Sequence, residues 1–481
     1  MKFLDLFKRK KETERKKVQR YKNTRGLGIT PDRLTETFTS SVLTGSINKH
    51  IRTSNDLRDQ ARTLAITNNY GKNFVQMVVD NVVGADGINP NPQVQFENGS
   101  LDTKLNMKLS NMFSSWADNA KNFSLNGRMN WRDFCIQVER MRLIDGEVFI
   151  RIHKDEMQIE IISADLCDYN FQEKQENGNT IYQGIEYDER KRPVAYWFTE
   201  IDLMTQTNAG QRYRIPAEEC LHYFIPDLSN QLRGISSFSA VIKPLSDLQS
   251  YQETAIVQKR ILASQMGFIT QDKDTNDMDI DDDVENPMQE IVEEFAPGEI
   301  KQLAPGQDIK SLGVSQGVSD GYAEFIDTVL NQVTTGFGVF KQGFMGDTAN
   351  INYSSAKFGD QTQRQRFRAI QQSLIDQVLK PVVESYIEYL ILHEMSSVSV
   401  NSIPFIMNSI TWIRPKRESI DPIKDTQNEI LLIQNKLKSR AAVISDRGDD
   451  PAQVFAQIES EEEKFGQVEV INEKTEITEN V

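Results

Sequence analysis

The sequence predicts an α+β protein that is mainly helical, and three features of its pattern carry that reading. Over long stretches on both sides of the middle of the chain, apolar residues recur every three to four positions, the spacing that gathers them on one face of a helix. Strict alternation, the mark of a half-buried strand, is confined to about 147–225. At 481 residues the chain exceeds what one core supports, so roughly two to four domains or one elaborated one are expected.

Residues 1–50 join a basic head to a Thr-, Ser- and Gly-containing stretch and read as a tail or an arm lying on a neighbour. Ser54 or Asn55 caps the first helix, which carries Leu57, Ala61, Leu64 and Ala65, because a short polar side chain satisfies the unpaired N–H groups of a first turn. A second helix, with Phe74, Met77, Val78 and Val82 on one face, stops at Gly84. NPNPQVQF reads as extended chain, since its prolines cannot continue a helix. Helices follow at about 101–120, carrying Leu105, Leu109, Met112 and Trp116, and at about 130–144. Beyond the turn at Asp145–Gly146 the runs EVFIRIH, MQIEII, TIYQGIEYD and VAYWFTE alternate and build a β-rich lobe to about 225.

Helical spacing returns over 238–266, with Val241, Leu245, Leu248, Ala255, Leu262 and Met266 on one stripe. The acidic stretch 271–315, punctuated by Pro and Gly, holds short strand candidates at EIVEEF and EIKQLA. Another helix starts near 319 with Tyr322, Phe325, Ile326, Val329 and Val333 in phase and runs out in the glycine-rich TTGFGVFKQGFMG. After the polar DTANIN a long helix extends from Tyr353 to about 394 on Phe367, Ile370, Leu374, Val378, Val382, Tyr386 and Leu390. Pro381 should kink it, because that position has no N–H to donate. From 395 onward one further helix, 422–437, is predicted ahead of an acidic end.

The net charge of −15 is segregated. Residues 1–25 hold eleven Lys and Arg against three acids, 271–299 hold twelve acids against Lys273, and 441–481 hold eleven acids against three bases. Such a chain is not expected to grip DNA tightly, since non-specific affinity grows with each phosphate neutralised. No stretch approaches the roughly 18 uninterrupted apolar residues of a membrane span, and MKFLDLFKRKK has no apolar signal region, so neither secretion nor a membrane span is expected. Cys135, Cys167 and Cys220 read as ordinary buried thiols of a reducing compartment, and His50, His153, His222 and His393 lack zinc-ligand spacing.

Nothing in the sequence cradles a nucleotide, and no catalytic residue, metal or cofactor is expected. The glycines of GFGVFKQGFMG follow a helix instead of opening one, so they read as a loop and not as a phosphate site. Asp279, Asp281, Asp283 and Glu290 fall at calcium-loop positions, but Val284 stands where that turn requires Gly, which favours a solvated, partner-facing loop. Asp145 and Glu147 would serve as acid and base only in a cleft, and an exposed turn is the expectation. Arg364, Arg366 and Arg368 surround Phe367; Arg364 and Arg368 share a helix face and suit intersubunit salt bridges or, less directly, DNA. The head FLDLFKRKK reads as a tail or as a segment lying on a membrane or nucleic acid.

Several segments, in order, resemble the lambda-type family of tailed-phage portal proteins from about 54 to 465. They are ARTLAITNNYGKNFVQMVVDNVVGADGINP, LIDGEVFIRI, GIEYDERKRPVAYWF, PAEECLHYFIPDLSNQLRGISSFSAVIKPLSDLQSYQETAIVQKRILASQMGFIT, APGE with LAPGQ, NYSSAKFGDQTQRQRF and WIRPKRESIDPIKDTQNEI.

The resemblance implies a portal fold with wing, stem, clip and crown. Laid on this chain it gives a basic arm at 1–50, a wing at 51–238, stem helices at 239–267 and 319–337, and a clip at 268–318. A tunnel loop at 338–352 would lead into a kinked wing helix at 353–394, with crown and acidic tail at 395–481. Lys341, Gln342, Gly343, Gly346, Asn350 and Asn352 would line the DNA channel, and Asp279, Asp281, Glu293, Glu294 and Glu299 would meet the motor.

The implied partners are further copies of the chain in a closed ring, a dodecamer, together with double-stranded DNA bound without sequence preference. They also include the large terminase subunit, capsid and scaffold proteins, and head–tail connector proteins. The implied place is a capsid vertex of the virion, after assembly in the bacterial cytoplasm. Two other readings stay open on the residues, another virion structural protein or a metal-dependent nucleic-acid enzyme using the aspartates of 271–299.

Overall fold

Asn68 alone separates helix α1 (Ser54–Thr67) from α2 (Asn69–Val82) in the computed structural model. The structure describes residues 47–48, 54–202, 204, 207–263, 267–271, 307–311, 321–346, 353–393, 399–415, 422–447, 449 and 451–465. Asn68 makes so short a junction workable because its side chain accepts from the N–H groups of Tyr70 and Gly71 at 3.0 and 3.1 Å. The helices also need a glycine there, since a Cβ on Gly71 would lie 2.5 Å from the Leu64 carbonyl oxygen.

The chain divides into two compact units, one made of Met1–Ser239 with Gln342–Val481 and the other of Ala240–Lys341. In the first unit, strand β1 (Asn89–Pro92) follows α2, then α3 (Thr103–Ala117) and α4 (Trp131–Asp145). Gly146, in the left-handed region at φ 88°, ends α4 and opens β2 (Glu147–His153). Strand β2 is the middle of an antiparallel sheet with β3 (Gln158–Ile162) and β9 (Cys220–Phe224). A second antiparallel sheet runs in simple order through β4 (Glu173–Lys174), β5 (Thr180–Tyr182), β6 (Ile185–Tyr187), β7 (Pro193–Asp202) and β8 (Thr207–Pro216). Phe149, Ile162, Tyr196, Phe198 and Ile215 form the core between them, so the β-rich lobe read from alternation is present.

The second unit holds α5 (Ile242–Ala263), the strand pair β10 (Gly267–Gln271) and β11 (Gln307–Ser311), and α6 (Tyr322–Phe337). Tyr251 of α5 stacks on Tyr322 of α6 with ring centres 5.6 Å apart. Helix α5 is described to Ala263, and from Gly267 the chain belongs to β10. The strand candidates EIVEEF and EIKQLA and the stripe position Met266 lie outside the described residues.

Where the chain passes from the second unit back to the first, a helical turn α7 (Lys341–Met345) stands where the sequence reads as loop. Its cause is Phe344, which is buried and whose carbonyl accepts from the Asn73 side chain at 2.7 Å. The long helix comes next as α8 (Tyr353–Leu374), a π turn at Ile375–Leu379, and α9 (Lys380–Leu392). The helix runs on through Pro381, with a π turn immediately ahead of it at the place where a kink is expected. The widened turn, closed by the Lys380 N–H on the Ile375 carbonyl, absorbs the missing donor and keeps Ile375, Val378, Leu379 and Val382 buried.

Beyond 395 the chain is more structured than the single predicted helix, with α10 (Ile403–Ser409), β12 (Ile410–Ile413), α11 (Pro422–Gln434), α12 (Arg440–Asp446) and α13 (Pro451–Phe465). Strand β12 pairs antiparallel with β1, whose edge position accommodates Pro90 and Pro92, which donate nothing to a ladder. No described helix is long and apolar enough to cross a membrane.

Candidate functional site

Charged side chains pair in two kinds of setting. One is a cluster in the first unit whose centre is sealed and whose edge, at Arg62 and Asp165, is about a third exposed; the others are separate pairs, Lys341 with Asp327 in the second unit and Arg364 with Asp360 on α8.

The sealed cluster centres on Glu147, which has no solvent exposure. Its position follows from the chain around it. Gly146 and Gly234 let two backbone segments meet, and a Cβ on Gly234 would fall 2.2 Å from the Gly146 carbonyl oxygen. The Gly234 N–H then donates to Glu147 Oε2 at 2.9 Å. Arg233 Nε donates to both carboxylate oxygens at 2.9 Å, Tyr169 donates at 2.8 Å, and His222 Nε2 lies 2.9 Å from Oε2. Arg58, from α1, also bonds Glu147 and Tyr169 and donates from Nε to the Asp145 carbonyl at 3.0 Å. One turn on, Arg62 grips both Asp145 oxygens at 2.7 and 2.9 Å and pairs with Asp165. Three arginines thus face three carboxylates, so the charge balances without His222.

Balance decides the protonation states. Burial would raise the Glu147 pKa, but Arg233 and Arg58 overcome it and hold the carboxyl well below its usual range. Burial lowers His222 against the pull of Glu147, so it sits neutral. The expectation of an exposed acidic turn at Asp145–Glu147 is corrected, since both are buried and clamped by arginines because the turn packs under α1. Glu147 is poorly placed for acid–base work, because Arg233 and Arg58 hold it in its charged form and it has no solvent exposure. The three cysteines are all free and buried, with burial pushing Cys135 up to about 12 and Cys167 up to about 11, so neither is a nucleophile. Among the described residues no group of His, Cys, Asp and Glu is arranged to hold a metal.

In the second unit Gly338 caps α6 in the left-handed conformation at φ 67°. Lys341 pairs with Asp327, three turns back on α6, and that contact lowers the Asp327 pKa. The cation expected to face DNA is therefore already neutralised by its own chain. Gln342 is half-buried, while Gly343 and Gly346 are exposed. Gly346 has a positive φ of 65° with open space around it, so the chain turns freely there. Asn350 and Asn352 lie outside the described residues, as do Asp279, Asp281, Glu293, Glu294 and Glu299.

On α8, Arg364 pairs with Asp360 one turn before it. Arg366 and Arg368 are exposed, and Arg368 lies near enough to Arg414 to add to the effect of burial in lowering the Arg414 pKa. Sequence reasoning found Lys341 and Arg364 but missed their partners. It also missed Arg58, Tyr169 and Arg233, although one signal was available: a glutamate at the head of the apolar strand EVFIRIH needs a cation when that strand is central.

Comparison with known proteins gives a consistent result. A sequence profile described as phage portal protein, lambda family, matches residues 35–371. The chain is 25% identical over 425 residues to the probable portal protein of Halomonas phage phiHAP-1, covering 86% of this chain and 82% of that one. It is 20% identical over 456 residues to portal protein B of Escherichia phage lambda, covering 83% and 81% respectively. Among solved structures it is similar to a chain in the virion of a native gene transfer agent particle, at 14% identity and a TM-score of 0.44, covering 82% of this chain and 94% of that one. Because the profile spans well over half of its length, this chain belongs to the lambda family of phage portal proteins.

Proposed function

We propose that this chain is one subunit of a closed ring, a dodecamer, set at one capsid vertex, through which double-stranded DNA is packaged and later ejected. The observation that carries the reading is the family match over residues 35–371, which spans the helix, strand-pair and helix order of the second unit as well as α7. In this reading α5 and α6 are stem helices, the segment between them is a clip that docks the large terminase subunit and later the head–tail connector, and 338–352 is a tunnel loop. The crown follows 395, and capsid and scaffold proteins meet the wing. The subunit is structural, with packaging energy supplied by the terminase.

The charge layout supports a passive conduit. A wall that offered free Lys and Arg would bind each passing phosphate and hold the duplex. Here Lys341 is tied to Asp327 and Arg364 to Asp360, which leaves the loop a weak surface on which DNA moves. Arg366 and Arg368 stay exposed and are the residues best able to touch DNA or a neighbouring subunit.

Native mass spectrometry and negative-stain microscopy of the full chain test the ring, and a monomer that forms no ring at any salt concentration overturns it. Deleting 347–350, which leaves the buried Phe344 in place, should permit rings but impair packaging or retention of DNA. Normal packaging by that variant would remove the loop from the mechanism.

A further inference from the structure

The helices α11, α12 and α13 have 13, 7 and 15 residues, lengths that are marginal in water unless an apolar face is buried. Among their described residues Val443 is buried, yet Ile430, Leu431, Phe455 and Ile458 stay 42–55% exposed. Exposed apolar side chains gathered on short helices make a surface that a partner can cover.

The stripe on α13 is ordered. Phe455, Ile458, Glu459 and Glu462 fall at i, i+3, i+4 and i+7, so two apolar side chains lead into two acids on one face. A complementary surface exists elsewhere in the same unit. Phe96, Leu105, Phe405 and Ile406 line a groove of about 710 Å³, with Lys104 and Lys108, one turn apart on α3, at its edge. Phe96 is 54% and Phe405 56% exposed, so the floor is uncovered. The acid in the groove, Asp102, is occupied as the cap of α3, accepting from the Leu105 N–H at 3.0 Å. Lys104, Lys108, Glu459 and Glu462 form no ion pair with a described residue, which leaves both sets of charge available for each other.

We propose that α13 of one copy of this chain docks in the groove beside α3 of the next copy, with Phe455 and Ile458 on the floor and Glu459 and Glu462 against Lys104 and Lys108. The contact joins two different patches, so it is head-to-tail, the kind of contact that closes into a ring. It rests on the ring reading above and names where one subunit holds the next. It also accounts for the exposed apolar side chains of α13, whose covering surface would come from the neighbour.

Charge reversal tests it in the full chain. Lys104→Glu with Lys108→Glu, and separately Glu459→Lys with Glu462→Lys, should each lower the ring fraction in native mass spectrometry at least tenfold at low salt. The four changes combined should restore it. Rings at the wild-type level in both reversed forms, or a combined form no better than either, would overturn the docking while leaving the ring intact. Failure of the wild type to form rings is instead the failure of the ring reading. A second measurement guards against misfolding. Lys104→Cys with Glu459→Cys should give a disulfide-linked ladder of subunits on a non-reducing gel, the native cysteines being buried. A bond formed only within one chain would mean that α13 serves its own groove, and would sink the proposal.

Discussion

Arginine meets carboxylate both around Glu147 and along α8, yet the two settings give the same pair opposite meanings. At Glu147 both partners are fully buried, every carboxylate oxygen is bonded, and the cations come from α1 and from the segment at 233. At Arg364 and Asp360 about a third of each side chain remains in solvent, and the partners are neighbours on one helix. Water screens the second pair and has already been removed from the first. The buried cluster is therefore a fastener, whose loss leaves charges with nowhere to go. The exposed pair is a neutraliser that tidies the charge of a surface.

The largest effect that separates the two follows from removing the centre of the fastener. Glu147→Ala strands Arg58 and Arg233 without their shared partner, and uncompensated buried charge of this kind costs about 3–5 kcal/mol. Denaturant unfolding should show that loss. A change under about 1 kcal/mol would mean that water reaches the cluster, and would erase the contrast with α8.

An intermediate effect comes from pH. The folded pKa of His222 lies below its ordinary value of 6.5, so below that pH the unfolded chain binds the proton more readily than the folded one. The stability held by the neutral ring is complete above about 6.5 and declines as pH falls past it, by at most about 1.4 kcal/mol per pH unit for one group. Glu147, whose folded pKa is depressed, holds its contribution until far more acid conditions. His222→Gln should flatten the loss of stability between pH 6.5 and 5 relative to wild type. An unchanged slope would show that His222 is not the titrating group.

The same difference in burial explains how much could be read from the sequence. Helices with a continuous apolar stripe, such as α2 and α8 through α9, were legible because burial of one face writes a period into the chain. Alternation likewise revealed β2 and β7. What stayed hidden depends on distant partners. Strand β12 has β-favouring residues in ITWI, but four residues are too short a run to be told from an apolar helix end, and its pairing with Asn89–Pro92 is what the sequence does not show. The π turn is a joint outcome of Pro381 and a core that keeps Val378 and Val382 buried on either side of it. The Glu147 cluster draws on residues from 58 to 233, and only the fold brings them together. Lys341 and Arg364 were visible as cations, whereas their neutralisation was not.

The smallest effect sharpens the comparison from its weak side. Arg364→Ala removes an ion pair between residues one turn apart on a helix surface, worth about 0.3–0.5 kcal/mol at low salt. It also frees Asp360, which adds a negative charge beside the segment through which DNA is proposed to pass. Thermal unfolding should hardly move, and raising the salt to about 1 M should abolish the remaining difference, because the screening length there is about 3 Å. Arg364→Lys keeps the charge and should behave as wild type. If Arg364→Ala instead lowered stability by an amount comparable to Glu147→Ala, its partner would have to be buried in the assembled protein, and α8 would be an interface between subunits. The salt dependence distinguishes the two, since a buried pair keeps its worth at 1 M and an exposed one does not.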